Sequence, residues 1–311
     1  MKNFSASIAL LFTLITVSGN SFGENEFPVL EGPYLGQEPP GSTPKAFAPG
    51  IVSTEHWEVG GVFTPDMKEF YFLSRGGKYK ESTFVVFRQK DNRWHESVVS
   101  PRVGQPTFSP DGKTMHLGRR YMERTDTGWS EIKSLGSPFE EIRIMRLTAS
   151  SKGTYAFDEA TADGNGVIRF SRLIDGKREE PKPMSKVINV GRWSAHPFIA
   201  PDESYVLWDT HRDDGYGDAD IYISFRQEDG SWGEAINLGD KINTDADEAG
   251  ASVTPDGKYL FFNRGISTDN YENVDIFWVD AQVIENLRHS DALRRNGELS
   301  TKRRAIHEHN Y

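Results

Sequence analysis

Short apolar runs alternate with turn signals over most of this chain, and the same arrangement returns five times. "GGVFTPDMKEFYFLSR" (60–75), "GQPTFSPDGKTMHLGRR" (104–120), "MRLTASSKGTYAFDE" (145–159), "AHPFIAPDESYVLWDTHR" (195–212) and "AGASVTPDGKYLFFNR" (249–264) each place an apolar run on both sides of a turn. Pro presets φ, Asp bonds back to the chain and Gly accepts a positive φ, so the pattern predicts a tight hairpin between two strands. The turn residues Pro65, Pro110, Ser151, Pro201 and Pro255 stand 45, 41, 50 and 54 residues apart. That period suits a four-stranded propeller blade. Third strands follow at 82–89, 166–173, 220–227 and 274–281. After several of the units comes a polar turn closed by Trp94, Trp129 or Trp232, which are expected in the core between blades. A fourth strand is predicted at 234–239. A two-sheet sandwich also has short strands and many turns, but does not predict one four-part order repeated five times.

The two ends of the repeat fit one another. "AFAPGIVSTEHWEVGGVFTPDMKEFYF" (46–72) aligns with "AINLGDKINTDADEAGASVTPDGKYLFF" (235–262) with one gap. Residues 46–51 therefore read as a fourth strand with no blade before it. The fifth unit runs into the helical "AQVIENLRHSDALRR" (281–295) and lacks a fourth strand. The N-terminal strand is expected to complete the last blade beside Ile276, which removes both loose sheet edges.

Pro-Asp-Gly-Lys, then an aromatic strand, then Asp-Ile-Tyr (220–222) or Asp-Ile-Phe (275–277), resembles the WD-repeat-like β-propeller repeat of the TolB type. The resemblance covers about residues 46–288. It implies an all-β propeller of four-stranded blades, five by this count with six as the alternative, and a short C-terminal helix. No segment is left over for the extra α/β domain that TolB itself carries. The expected organisation is a signal peptide at 1–23, an extended segment at 24–45, the propeller at 46–288 and a polar tail at 289–311.

The leader follows from "SIALLFTLITV" (7–17), an apolar run of signal-peptide length, with small residues Ser21 and Gly23 ahead of a cut after Gly23. It predicts a periplasmic or secreted protein with no transmembrane segment. The formal net charge of −10 excludes nucleic acid as a natural partner, because phosphate recognition needs basic charge. Zero cysteines exclude disulfides and thiol catalysis.

Propeller topology sorts residues by face: first strands line the channel, the Pro-Asp-Gly turns lie on one face, and the other loops lie opposite. The loop face collects the expected ligand-binding residues Trp57, Glu58, Arg75, Arg120, Trp193, His196, Asp209, His211, Arg212, Glu248 and Arg264. Aromatic faces with Arg and carboxylates suit a glycan or a protein segment. An Arg recurring after the second strand of several units also suits a structural bridge to Glu58 or Glu248. Asp213, Asp214, Asp218, Asp245 and Asp247 could hold Ca²⁺, but lack the spacing of an EF-hand loop. His196 and His211 have no zinc-ligand spacing, and no metal or other cofactor is expected. No Gly-x-Ser-x-Gly elbow or phosphate loop is present. A glycosidase would draw on Glu58, Asp158, Glu159, Asp209 or Glu248. The sequence thus favours a monomeric, non-enzymatic binding propeller holding a protein segment or glycan on its loop face. A polysaccharide-active hydrolase or lyase on the same face, and a ligand-free scaffold, are the alternatives.

Overall fold

A computed structural model describes residues 29–163, 165–266 and 272–308, with side chains followed as far as residue 297. The expected leader, residues 1–23, lies outside the described residues. Among the described residues the strands pair into five units of four strands in succession, and unit 2 carries a further short strand, Gly128–Trp129, beside its third. Unit 1 comprises Trp57–Phe63, Glu69–Gly76, Tyr79–Lys90 and Arg93–Pro101. Unit 2 comprises Pro106–Phe108, Thr114–Leu117, Arg120–Thr125 and Lys133–Ser134. Unit 3 comprises Leu147–Ala149, Tyr155–Glu159, Val167–Ser171 and Lys182–Pro183. Unit 4 comprises Arg192–Ile199, Tyr205–His211, Asp220–Phe225 and Ile236–Asn237. Unit 5 takes Glu248–Val253, Tyr259–Gly265 and Val274–Asp280 from its own stretch, and Lys45–Ala46 from the N-terminal side.

The repeated turn owes its shape to one side chain. Asp66 Oδ1 accepts the Lys68 N–H at 3.1 Å, and Asp111 Oδ1 accepts the Lys113 N–H at 3.0 Å. The preceding hydroxyl, on Thr64 or Ser109, donates to the same oxygen at 2.6 Å. Gly112 and Gly257 take the left-handed φ this turn needs, and Met67 (φ 59°) and Glu203 (φ 65°) take it without glycine's freedom. The local hydrogen bonds hold the turn where the sequence is least suited to it.

Packing shows how the units succeed one another. Each of the hydrophobic clusters lies where consecutive units meet. Val59, Tyr71 and Val86 meet Met115 and Leu117 between units 1 and 2. Phe139, Leu147 and Phe157 fill the step from unit 2 to unit 3. Ala156 and Ile168 meet Ile199 and Trp208 between units 3 and 4, and Leu207 and Ile223 meet Leu260 and Phe262 between units 4 and 5. The richest cluster joins unit 5 to unit 1, through Phe70, Phe72 and Phe87 on one side and Phe261, Ile276 and Trp278 on the other. The chain is a β-propeller.

The seam between units 5 and 1 is closed by the N-terminal segment. Ala46 pairs antiparallel with Phe277, and the Phe47 N–H donates to the Ile276 carbonyl at 2.7 Å. Phe47 is fully buried, with ring contacts to Phe63, Phe70, Phe261 and Trp278. Upstream, Tyr34 hydrogen-bonds Asp256 in unit 5, while the Gly32 carbonyl accepts from Trp94 Nε1 in unit 1 at 2.7 Å. One parallel contact, Trp57 with Val274, joins units 5 and 1 directly. Trp94 and Trp129 lie at unit junctions, the latter donating from Nε1 to the Tyr71 hydroxyl at 2.9 Å, and Trp232 packs at the edge of the cluster between units 3 and 4. The C-terminal helix is longer than its sequence pattern predicts, running Gln282–Glu308. Ile284, Val283 and Leu287 dock it on the unit 4–5 cluster. No helix of the described residues is long and apolar enough to cross a membrane.

Candidate ligand site in the central channel

The turns supply a common ruler. Thr64, Ser109, Ser150, Ala200 and Thr254 each donate their N–H across the hairpin to the start of the second strand, to Glu69, Thr114, Thr154, Tyr205 and Tyr259 respectively. Their equivalence brings the first strands into register. A cavity of about 410 Å³ is lined by all five first strands and by the turn residues Pro65, Pro110, Ser151, Pro201 and Pro255. Only convergence on one axis brings those five hairpins to a single cavity, so this is the channel mouth on the turn face. Its wall is largely apolar, from Val62, Phe63, Phe108, Phe198, Ile199 and Val253.

Four residues upstream of each ruler position stand Gly60, Gln105, Arg146, His196 and Gly250. This level is deeper in the channel and mixes unlike chemistries. At three of the five junctions it is latched by the preceding unit's second strand. Asp158 Oδ2 accepts the His196 N–H at 2.9 Å, Asp209 Oδ1 accepts the Gly250 N–H at 2.8 Å, and Asn263 Oδ1 accepts the Gly60 N–H at 3.0 Å. His196, Gly250 and Gly60 all have positive φ, and lie where the first strand slips register. The bulge turns an N–H out of the ladder and the neighbouring unit receives it. At the remaining two junctions the equivalent second-strand positions are Leu73 and Gly118, which have no side-chain acceptor to offer.

Arg146 is the charged residue at the floor of the cavity. It is 2% exposed, and its Nη1 has no hydrogen-bond partner. Nη1 lies 3.4 Å from where a β-carbon on Gly250 would stand, so the side chain reaches from unit 3 to unit 5 through space that glycine leaves open. Burial lowers the guanidinium pKa to about 10, although the charges of Asp209 and Asp158 offset part of that effect. Neither aspartate hydrogen-bonds it. Asp158 is engaged by the N–H groups of Met145, Arg146 and His196, and Asp209 by Gly250 and by His196 Nδ1 at 3.0 Å. Burial works to lower the His196 pKa, but the charge and hydrogen bond of Asp209 and the charge of Asp158 outweigh it and raise the value.

The residues expected to bind ligand fall into three sets. His196 and Asp209 join the channel cluster. Glu58 and Glu248 serve as repeated brackets for the loops that enter units 1 and 5. Glu58 accepts the Thr54 N–H at 3.0 Å and its hydroxyl at 2.8 Å, and Glu248 accepts the Thr244 N–H at 2.8 Å and its hydroxyl at 2.7 Å. Arg264 binds Glu248 at 2.7 Å within the same unit. The third set is spread over the loop face. Arg75 and Arg102 flank the Trp57 ring at 5.1 and 5.6 Å. Arg120 donates to the Val103 carbonyl at 2.8 Å, and Arg212 stacks over Tyr222 at 4.1 Å. His211 is half-buried at the end of its strand, and Trp193 is 62% exposed. Arg146 was outside the expected set. The signal that finds it is its position four residues before Ser150. Among the described residues, no three His, Asp or Glu side chains converge in a way that could hold a metal ion.

A second pair of acids sits outside the channel at the seam. Burial raises the Asp275 carboxyl pKa to about 6, with the Glu58 charge adding to the shift, and burial also raises Glu58. Asp275 has a folded-state pKa above its ordinary value of 3.8, so between about pH 4 and 6 the native state keeps a proton that the unfolded chain has released. Stability therefore falls as pH rises through that window, and the penalty stays constant above it. Asp275→Asn is expected to gain about 1 kcal/mol at pH 7, after discounting for the residue's partial exposure, with the gain vanishing below about pH 3.5. Urea unfolding of both proteins across pH checks the sign; a loss of stability at pH 7 would refute it.

No family model matches the chain, and no curated protein does either. Several solved structures resemble it. TolB from Acinetobacter baumannii shares 16% identity over 73% of this chain and 55% of its own, with a TM-score of 0.44. This chain thus spans little more than half of that protein. The catalytic domain of the Coprinopsis cinerea GH62 α-L-arabinofuranosidase shares 11% identity over 78% of this chain and 97% of its own, with a TM-score of 0.46. An α-L-arabinofuranosidase from Lactobacillus brevis shares 12% over 73% and 91%, with a TM-score of 0.45. At such values the likeness concerns the arrangement of strands and carries neither ligand nor reaction to this chain.

Proposed function

We propose that this protein is an exported binding propeller that seats a ligand in the turn-face mouth of its central channel and performs no chemistry on it. The observation that carries the reading is the cavity of about 410 Å³, built by all five hairpins and floored by a buried cation. That volume suits a small ligand or the end of a chain. The channel carboxylates favour binding over hydrolysis, because Asp158 and Asp209 are engaged by backbone N–H groups rather than standing free as an acid and a base. Export rests on the apolar leader at 7–17. The loop face, with Trp193 exposed, is the alternative seat for a glycan or protein segment.

Calorimetric titration with a panel of peptides and oligosaccharides tests the reading. Saturable binding to the native protein is expected, and Val62→Trp, which puts a large ring at the mouth, is expected to abolish it in a variant that still unfolds cooperatively. Binding unaffected by Val62→Trp, or turnover of a polysaccharide, would overturn it.

A further inference from the structure

We propose that the channel floor is a carboxylate site: the ligand is an apolar carboxylic acid that enters from the turn face and places its carboxylate on Arg146. This deepens the channel reading and rests on it. A guanidinium carries five N–H donors in a planar fork, and a buried donor without an acceptor is costly. Arg146 meets that condition, with Nη1 unpartnered and the residue 2% exposed. Its neighbours moderate the charge without supplying the bonds. Asp158 and Asp209 are taken up by N–H groups and His196, as described above. Carboxylate matches the fork in two parallel bonds, which no neutral acceptor does as well.

The walls decide what the acid is attached to. Phe63, Phe108, Phe198, Ile199 and Val253 give an apolar lining above the arginine. Of the buried hydroxyls that line the cavity, those of Thr107, Thr148 and Thr254 are already occupied, and Ser252 is left to meet a ligand. Thr107 donates to the Leu147 carbonyl, and Thr148 donates to the Pro197 carbonyl at 3.2 Å while accepting the Ile199 N–H at 3.1 Å. A sugar acid would bring several hydroxyls against aromatic rings and find few partners. An acid with an apolar body buries that body and loses nothing. The same chemistry is carried by a free aromatic or aliphatic acid and by a peptide ending in an apolar residue with its terminal carboxylate.

The test uses the full chain and calorimetric titration of matched pairs. These are 3-phenylpropionate with its amide, and a short peptide ending in Phe as the free acid with the same peptide amidated; glucuronate serves as the polar acid. At least one of the two acids is expected to bind about tenfold or more tightly than its amide, with glucuronate weaker than both. Which acid binds more tightly identifies the source. Arg146→Gln is expected to erase the difference between acid and amide, and Val62→Trp to abolish binding of both. The acid–amide comparison in the parent protein stands even if the arginine variant does not fold. Acid and amide binding within about twofold, or no acid binding up to about 10 mM, overturns the carboxylate assignment. A neutral or sugar ligand that binds and is blocked by Val62→Trp would sink the carboxylate site and leave the channel reading standing. Failure of every ligand in the panel would sink both.

Discussion

Phe47→Ala should cost this propeller about 4 kcal/mol of unfolding free energy, within the range for emptying a fully buried aromatic site. The residue belongs to a short segment remote in sequence from everything it touches. Its ring is completely buried, with centroids 4.9 Å from Phe70 in unit 1, 4.9 Å from Phe261 and 5.1 Å from Trp278 in unit 5. Truncation removes the filler between two units whose backbones meet directly at a single parallel contact, Trp57 with Val274. Urea unfolding gives the number. A loss under about 1 kcal/mol would mean that the N-terminal strand decorates the seam rather than closing it.

The second large effect is electrostatic and is expected at Asp158. Its two oxygens receive three backbone N–H groups, from Met145 at 2.8 Å, Arg146 at 3.1 Å and His196 at 2.9 Å. Asp158→Ala orphans all three in a site with no exposed surface, and takes one negative charge from the neighbourhood of a buried arginine. The expected loss is about 3–5 kcal/mol. Asp158→Asn separates the two causes, because the amide can still accept the N–H groups of Met145 and Arg146 through one oxygen. Its NH₂ then faces the His196 N–H, so an intermediate loss is expected. If Asn were as stable as Asp, the latch between units 3 and 4 would not depend on that third bond.

These expectations bear on what could be read in advance. The hairpins were legible because Pro, Asp and Gly each act locally, so Pro65, Pro110, Pro201 and Pro255 mark them without reference to the rest of the chain. Closure was legible for a similar reason. The stretch before unit 1 copies the stretch before unit 5, and Thr54–Glu58 and Thr244–Glu248 then make the same bracket in both places. Recurrence carries two readings at once. Glu248 and Arg264 suit a binding face and equally a structural bridge, and the 2.7 Å ion pair between them is such a bridge. The channel floor was obscured for the opposite reason. It is the one level where the units differ, and its arginine belongs to the copy that departs furthest from the others. Which side chain fills the centre of a ring depends on five strands at once, and no local preference encodes it. Register counted back from the turns would have reached it, since Ser150 fixes Arg146 as surely as Thr254 fixes Gly250.

The Lys45–Ala46 strand is made before any unit exists, and its partner, Val274–Asp280, is among the last strands made. A nascent chain can therefore build four junctions as it lengthens and still be an open arc. The Lys45–Ala46 strand has to wait, without its strand partner, until the fifth unit is made. Any early stop that omits the final unit leaves a curved stack with two sticky ends, which invites joining between molecules instead of within one. Cutting the chain just after Ala46 and rejoining that piece behind the last unit would remove the wait, turning a clasp that must find its catch into one more hairpin.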